Sequence, residues 1–220
     1  FGFLIGISII ITKEYLDSTI KSADYINRLN LPILAIIPAI GESYRKRIKG
    51  KKVNGFRLIK KMSSDLLKKR TFSVGKIQRR LVTQEDPKSP VSEAYRALRT
   101  SLLYSTMDKS RKTIMVSSPG PGEGKTTTMI NLAITYANLG KRTLLIDGDL
   151  RRPVLHKVFN TTKDIGLTHY STGNAENLQA IIKSTDIENL ELITCGVVPP
   201  NPSELLASPK LFELMPELKN

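Results

Sequence analysis

The chain has 220 residues, a formal net charge of +14 and a hydrophobic content of 40%. The length suits one α/β domain with appendages, and the apolar fraction is enough to bury a core, which excludes wholesale disorder. The single cysteine, Cys195, excludes a disulfide scaffold and a four-cysteine metal site. Only two histidines are present, His156 and His169, which disfavours a His-rich metal enzyme. We assign these three side chains to packing or to the surface.

Nearly all of the net charge lies in one stretch of the chain. Between Glu42 and Val82 there are 15 Lys and Arg residues and two acidic residues, Glu42 and Asp65. Such a cluster suits a solvated surface, a nucleic-acid patch or attraction to anionic lipid. We expect no nucleic-acid partner, because no recognition module accompanies the cluster.

The chain begins with an uncharged apolar run from Phe1 to Ile11. A membrane-spanning helix needs about 20 apolar residues, so the run cannot span a bilayer alone. We predict that residues 1–12 are the end of a transmembrane helix, with a buried core strand or helix as the alternative. The basic stretch favours the membrane interpretation, because Lys and Arg concentrate on the cytoplasmic side of membrane helices.

Three further parts are predicted after this run. Residues 13–40 form a juxtamembrane segment, with helical spacing as far as Leu29 and then a Pro-bounded apolar piece that we expect to be extended. Residues 41–86 form a basic cytoplasmic linker without a convincing core face. Residues 87–220 are predicted to be the N-terminal part of a folded α/β domain.

A helix is predicted near the start of this folded part. Ser92 is a candidate cap for the helix, and its inner side is predicted to carry Tyr95, Leu98, Leu102 and Leu103.

The pattern of an α/β unit follows. Residues 113–117 are a β-rich apolar run, residues 118–124 are a loop rich in Gly and Pro, and a helix is predicted from Lys125 to about Leu139. A second buried strand is predicted at 143–146. Strand, loop, helix and strand in this order predict a right-handed crossover between parallel strands.

The loop carries a motif with a chemical purpose. Gly124-Lys125-Thr126 ends a segment similar to the phosphate-binding loop G-x-x-x-x-G-K-[ST], in which backbone N–H groups and a helix N-terminus hold phosphates. Lys125 is the predicted contact of the β and γ phosphates of a nucleotide, and the Thr126 hydroxyl is a predicted ligand of Mg²⁺. The chain departs from the motif at Pro119, where glycine is usual. An ordinary Gly-rich turn is the alternative. The predicted nucleotide-binding residues are Pro121, Gly122, Glu123, Gly124, Lys125, Thr126 and Thr127.

Two carboxylates follow the second predicted strand. Asp147 and Asp149 lie at the edge of an open α/β sheet where ligands bind, and in an extended chain their spacing points both side chains to the same side. One carboxylate can complete an Mg²⁺ shell and the other can accept a hydroxyl proton. The alternative is that both residues cap the helix predicted near Pro153.

Together these segments resemble the bacterial tyrosine kinases (BY-kinases) of capsule and exopolysaccharide synthesis. The resemblance rests on the following segments: Pro121–Thr126, the Walker A′-like segment Leu145–Pro153, Glu93-x-x-Arg96-x-x-Arg99, Leu155-His156, residues 199–206, and Tyr15–Lys21 after the apolar run. It covers nearly the whole chain. It implies an α/β fold of the P-loop NTPase type, with a parallel sheet and flanking helices.

The resemblance also implies roles for particular residues. Lys125, Asp147 and Asp149 are then catalytic, and Thr126 and Asp147 hold the metal in a protein-tyrosine autokinase that uses ATP and Mg²⁺. Glu93, Arg96 and Arg99 are then on a helix used for ring-like self-association. From their spacing alone, ion pairing on an exposed helix face is the alternative for these three residues.

The implied biological setting is polysaccharide polymerisation and export. The expected location is the bacterial inner membrane, with the kinase domain in the cytoplasm. The expected partners are other copies of the chain, anionic lipid, polysaccharide polymerase and export proteins, and a cognate tyrosine phosphatase. The Walker B motif of the family, an apolar strand that ends in aspartate, and a tyrosine-rich tail are expected after Asn220, so we expect the chain to be part of a longer protein.

Two other functions stay open. Partitioning or positioning ATPases share the P-loop scaffold but act as nucleotide-dependent switches. They typically place a lysine where this chain has Gly120, which favours the kinase. A non-catalytic membrane adaptor is the second alternative, and the presence of Lys125, Asp147 and Asp149 disfavours it.

Overall fold

The computed structural model describes two compact units of the chain, Phe1–Ile36 and Ile37–Asn220. The described residues are 6–8, 11, 12, 15, 16, 26, 28, 31–38, 81–105 and 113–218. The predicted linker as far as residue 80, and most of the predicted end of a transmembrane helix, lie outside the described residues.

The first unit is helical at most of its described positions before residue 31, and residues 31–36 have no regular secondary structure. Apolar and aromatic side chains are exposed here, with Ile11 62% and Tyr15 89% accessible. Among the residues that the structure describes, no helix combines the length and the apolar character needed to cross a membrane.

The first described helices of the second unit are α1 (Val82–Glu85) and α2 (Pro90–Ser105). Helix α1 lies inside the segment predicted as linker, yet Val82 is fully buried and packs with Val91 and Tyr95 of α2.

The start of α2 differs from the prediction. The helix begins at Pro90, and the Ser89 hydroxyl, not that of Ser92, caps it by accepting a hydrogen bond from the Ser92 N–H at 3.2 Å. Ser92 is already inside the first turn and is fully buried. A serine before a proline at the first helical position is the ordinary start signal, and it places the cap three residues earlier. Leu103, predicted on the inner side, is 44% exposed.

Helix α3 (Lys125–Ala137) and strand β1 (Thr143–Ile146) lie where the sequence predicted them. Gly124 precedes the helix, and Gly140 follows it with a φ of +76°, a left-handed conformation that glycine adopts at low cost. The second half of the helix is buried on nearly all sides, since six consecutive residues, 130–135, are buried there.

The remaining described elements of this unit are short. They are α4 (Leu155–Val158), α5 (Leu167–Ser171), a 3₁₀ turn (Gln179–Ile181), β2 (Ile182–Ser184), β3 (Leu190–Ile193), α6 (Pro202–Leu206) and α7 (Pro209–Glu217). Helices α6 and α7 each begin with proline, whose missing N–H costs nothing at that position.

The described strands form one sheet in the order β1–β3–β2. Strands β1 and β3 are parallel, with Thr143 opposite Leu190, whereas β2 is antiparallel to β3. The predicted parallel sheet is therefore wrong for β2, and the sheet is mixed. The reason is local: the connection from β2 to β3 is only five residues long, too short for a parallel crossover, and it turns at Asn189 with a φ of +62°.

The predicted strand at 113–117 is also absent from this sheet. These residues have no strand assignment, and none of the three described strands pairs with them. Exposure nevertheless alternates along the segment, with Ile114 and Val116 half-buried and Met115 86% exposed. The apolar pattern thus correctly predicted that one face of this segment is covered. A strand, however, also needs backbone hydrogen bonds to a neighbouring strand. The parallel pair in the described sheet is β1 with β3, rather than the predicted pair of residues 113–117 with β1.

The core is divided by the sheet into two layers. Leu145 and Leu192 face α3 and pack with Ile130 and Ile134. Ile193 faces the opposite side, in a cluster that includes side chains of α5 and α7. Alternate residues of a strand point to opposite faces of the sheet, and helices pack against both faces. This α/β fold therefore has helices on both sides of a mixed sheet.

Candidate functional site

The predicted phosphate-binding loop lies directly before α3. Gly122 and Gly124 have φ values of +82° and +97°, which any larger residue adopts only with strain. Gly124 is the N-cap of α3, and the first N–H groups of a helix have no partner inside it. A tight loop therefore leads into a helix N-terminus, the arrangement that binds phosphate with backbone N–H groups.

The Lys125 side chain folds back across the loop. Its Nζ donates hydrogen bonds to the Gly120 carbonyl oxygen at 2.7 Å and to the Ser118 hydroxyl oxygen at 3.0 Å. Both partners are neutral, so the positive charge stays at the loop and is not neutralised by these contacts.

Glu123 places a carboxylate on the same loop. Its Oε2 accepts a hydrogen bond from the Gly120 N–H at 3.1 Å. A hydrogen bond from the Ser118 hydroxyl, and then that from Gly120, hold the pKa of Glu123 below its ordinary value, and the charge of Lys125 adds to this effect. The side chains of Glu123 and Lys125 thus hold the loop residues Ser118 and Gly120 between them.

A buried hydrogen-bond network anchors the first turns of α3. The Asn131 side chain donates from Nδ2 to the Thr127 carbonyl oxygen at 2.8 Å, and its Oδ1 accepts from both the N–H and the hydroxyl of Thr83 at 2.9 Å. Tyr95 of α2 forms a hydrogen bond with Thr128, which opposes the rise that burial causes in its pKa. These supporting residues could not be predicted from the sequence, because a polar residue inside a helix carries no local signal of its partner.

Asp147 is buried at the end of β1, with 4% of its surface exposed. Its Oδ2 accepts hydrogen bonds from the N–H groups of Val154 and Leu155, each at 3.1 Å. Burial raises the pKa of Asp147, and these bonds together with one from the Asp149 N–H oppose the rise. This is the contact that the capping alternative requires, since Leu155 begins α4. A carboxylate has about four acceptor directions, so three N–H donors leave room for one more ligand.

Asp149 has a different environment. It is exposed, and its Oδ1 accepts a hydrogen bond from the Arg152 N–H at 2.9 Å. The chain is not extended here: the Gly148 N–H donates to the Ile146 carbonyl and the Leu150 N–H to the Gly148 carbonyl, each at 3.1 Å. These tight turns mean that the extended chain, on which the prediction of two side chains pointing to the same side depends, is not present here.

Cys195 lies after β3 and within electrostatic range of both carboxylates. Burial, followed by the charge of Asp147, raises the pKa of the Cys195 thiol to about 11. The thiol is fully buried in the core, which agrees with its assignment to packing. A thiol with such a pKa is protonated at neutral pH and is a poor nucleophile.

The available donors suit magnesium better than a metal held by protein alone. Within the described residues, no group of three or more His, Cys, Asp and Glu side chains is arranged to hold a metal ion. Mg²⁺ usually takes one or two carboxylates together with phosphate oxygens and water. The hard oxygen donors of Thr126 and Asp147 fit that preference.

Residues Glu93, Arg96 and Arg99 lie together on α2 but have different contacts. Arg96 forms an ion pair with Glu93 at 2.6 Å and also donates to the Pro87 carbonyl oxygen. Arg99 turns toward α3, where its Nη1 donates to the Thr135 carbonyl oxygen at 2.7 Å. The ion-pair alternative is thus observed for two of these residues, and the third joins two helices of the same chain.

Comparison with known proteins places this site in a family. Residues 111–202 match the family described as AAA domain. The chain is 41% identical over 139 residues to tyrosine-protein kinase YwqD of Bacillus subtilis. This match covers 63% of this chain and 58% of the relative. It is 29% identical over 214 residues to tyrosine-protein kinase etk of Escherichia coli K12, covering 97% of this chain and 28% of the relative.

A solved structure supports the same relationship. The BceF tyrosine kinase domain superposes with a TM-score of 0.72 at 30% identity, over 92% of this chain and 73% of that one. The chain spans 58% of the YwqD relative and less of the etk relative. The phosphate loop, the α/β fold and these relatives lead to one assignment: the chain belongs to the bacterial tyrosine kinase (BY-kinase) family.

Proposed function

We propose that the protein is an ATP-dependent protein-tyrosine autokinase that regulates polymerisation and export of a capsule or exopolysaccharide. The observation that carries the proposal is the phosphate loop: Gly122 and Gly124 shape it, α3 begins at its end, and Lys125 lies across it. Membership of the tyrosine kinase family supplies the type of reaction.

Each site residue then has a proposed role. The N–H groups of residues 121–127 and the Lys125 ammonium hold the phosphates of ATP, while the Thr126 hydroxyl and the Asp147 carboxylate hold Mg²⁺. Bound Mg·ATP supplies the transferable phosphoryl group and neutralises charge on it. Asp149, exposed at the sheet edge, accepts the proton of the incoming tyrosine hydroxyl.

The setting of the protein is part of the same proposal. The kinase unit lies in the cytoplasm at the bacterial inner membrane, and it associates with other copies through α2 and with polysaccharide polymerase and export proteins. A tyrosine phosphatase reverses its modification. The exposed apolar side chains of the first unit, such as Ile11 and Leu16, and the basic segment 42–82 support attachment to an anionic membrane.

The partitioning-type ATPase is the principal competing function. Gly120 favours the kinase over this switch, because such ATPases typically place a lysine at this position.

Nucleotide binding is the first test of the proposal. Calorimetry is expected to show Mg·ADP binding to this chain, and Lys125→Met is expected to weaken it because the ammonium charge is lost while the stem is kept. Equal affinity in both forms contradicts the role of Lys125. Incorporation of phosphate from labelled ATP into tyrosine of the full-length protein separates a kinase from a switch or an adaptor.

A further inference from the structure

The loop departs from the usual motif at Pro119, and its neighbours show how the departure is accommodated. Proline has no N–H, so this position offers the loop no hydrogen-bond donor. The Ser118 hydroxyl, before the proline, donates to the Gly120 carbonyl oxygen at 3.2 Å, and the Gly120 N–H, after it, donates to Glu123 Oε2 at 3.1 Å. The Glu123 side chain therefore holds the residue that follows the proline.

Gly120 is held at both of its backbone groups. Its N–H donates to Glu123 Oε2 at 3.1 Å, and its carbonyl accepts from Lys125 Nζ at 2.7 Å. The absence of a Cβ permits this arrangement, since a Cβ at 120 lies 2.6 Å from Glu123 Oε1. The peptide groups around residue 120 are thus fixed by two side chains of opposite charge from the same loop.

The Gly120 N–H, which donates to Glu123, is not one of the N–H groups at the start of α3. The groups with no helical partner belong to residues in the first turn, from Lys125 onward. Glu123 therefore leaves the phosphate-binding N–H groups free while it fixes the preceding half of the loop.

We propose that the Glu123 side chain is a positioning residue: it braces the phosphate loop at Gly120, next to Pro119, and so prearranges the backbone for nucleotide. This inference rests on the proposed nucleotide site. A brace lowers the cost of ordering the loop when phosphate binds, because the loop is already in place. If the carboxylate instead competed with phosphate for the loop, Glu123→Ala would bind Mg·ADP more tightly, not more weakly.

The test is calorimetric titration of Mg·ADP into the chain and its variants. Glu123→Ala removes the hydrogen bond to the Gly120 N–H, and we expect the affinity to fall roughly three- to tenfold. Glu123→Gln keeps an acceptor oxygen and loses the charge, so we expect an affinity within about twofold of the unchanged chain. Glu188→Ala, which removes one exposed carboxylate elsewhere in the same unit, is the matched control and should leave the affinity unchanged.

A second variant displaces the carboxylate without changing it. Gly120→Ala adds the Cβ that meets Glu123 Oε1, and the flexible glutamate yields before the backbone does. We expect Gly120→Ala to weaken binding like Glu123→Ala, and the double variant to be no weaker than either single one.

The outcomes decide the proposal. If Glu123→Ala binds Mg·ADP weakly and Glu123→Gln binds it nearly as tightly as the unchanged chain, the result supports the brace. Unchanged or tighter binding by Glu123→Ala overturns it, and so does Glu123→Gln binding as weakly as Glu123→Ala. Additive losses in the double variant likewise overturn it. If Lys125→Met binds as tightly as the unchanged chain, it is the nucleotide site itself that fails, which distinguishes the two failures.

Discussion

The side-chain oxygen of Asn131 accepts two hydrogen bonds from Thr83, one from its N–H and one from its hydroxyl, each at 2.9 Å. Both residues are buried, with 0% and 1% of their surfaces exposed. Thr83 belongs to α1, directly after the basic segment, and Asn131 belongs to α3, which begins at the phosphate loop. The residue that directly follows the basic segment is therefore hydrogen-bonded to the helix that begins at the proposed nucleotide site.

This pair predicts a measurable coupling. Asn131→Ala leaves the buried N–H of Thr83 without an acceptor, so we expect the free energy of unfolding to fall by about 1–3 kcal/mol. Thr83→Val removes only the hydroxyl and is expected to cost less. Urea unfolding of the two single variants and the double variant measures the coupling, and Thr83→Ser is the conservative control. Additive single effects contradict a direct interaction.

Asp147 predicts that stability and function respond differently to one substitution. Asp147→Asn keeps an oxygen that can accept from Val154 and Leu155, whereas Asp147→Ala leaves both N–H groups unpaired at a cost of about 1–3 kcal/mol. We expect Asp147→Asn to unfold, at neutral pH, with a free energy equal to or above that of the unchanged chain. Urea unfolding of both variants is the measurement.

The pH dependence of this difference follows from the raised pKa of Asp147. The folded chain holds a proton there more readily than the unfolded chain, so the contribution to stability is full below the unfolded pKa and is lost as pH rises through the folded pKa. Asparagine has no charge to desolvate. The advantage of Asp147→Asn should therefore shrink as the pH falls below the ordinary carboxylate range, and an advantage that grows in acid contradicts this account.

Substitutions of the three charged residues of α2 are expected to have two different effects on the free energy of unfolding. Arg99→Ala leaves the Thr135 carbonyl without its guanidinium donor, and we expect a loss of about 1–3 kcal/mol in the free energy of unfolding. Glu93→Ala and Arg96→Ala alter an exposed pair and should change stability little. If these two residues mediate self-association, sedimentation velocity will show a smaller assembly for their variants. An unchanged assembly in both removes them from the proposed interface.

Attachment to anionic lipid is testable on the basic segment 42–82. Each basic residue that reaches the surface contributes about 1 kcal/mol, and salt weakens the attraction because it is electrostatic. Replacing Arg45, Lys46 and Arg47 with glutamine should reduce sedimentation with phosphatidylserine vesicles. Neutral phosphatidylcholine vesicles are the control, and equal binding to both kinds refutes the lipid proposal.

Local patterns in the sequence predicted the elements that depend on local physics. The glycine positions, the start of α3 at Lys125 and the bounds of β1 follow from a loop motif and from a short apolar run, both of which are local signals. The mixed sheet and the unpaired segment at 113–117 depend on which strand lies beside which, and periodicity contains no information about neighbours.

The site shows the same division. The motif predicted which residues surround the phosphate loop, but not that Glu123 would contact Gly120 or that Asn131 would hold Thr127. Spacing also predicted that the two carboxylates point to the same side of an extended chain, whereas the chain makes two tight turns after Ile146, with Asp147 buried and Asp149 exposed. Side-chain hydrogen bonds, even between residues three or four positions apart, were therefore the part that the sequence pattern did not predict.

The contrast between Asp147 and Asp149 gives the last prediction, which concerns the full-length protein. Asp147→Asn removes a buried carboxylate from the proposed Mg²⁺ shell, so it should weaken Mg·ADP binding as well as autophosphorylation. Asp149→Asn keeps an oxygen that can accept from the Arg152 N–H, and the residue is exposed, so the fold and the ADP affinity should change little.

The rate is where Asp149→Asn should act. A neutral amide cannot take the proton of a tyrosine hydroxyl, and loss of a general base typically costs about 100-fold or more. The measurements are ADP affinity by calorimetry and the initial rate of phosphotyrosine formation, with Asp186→Asn, an exposed aspartate elsewhere in the unit, as the matched control. If both variants keep the wild-type rate, Asp147 and Asp149 serve only to hold the chain after β1, as their hydrogen bonds to backbone N–H groups already do.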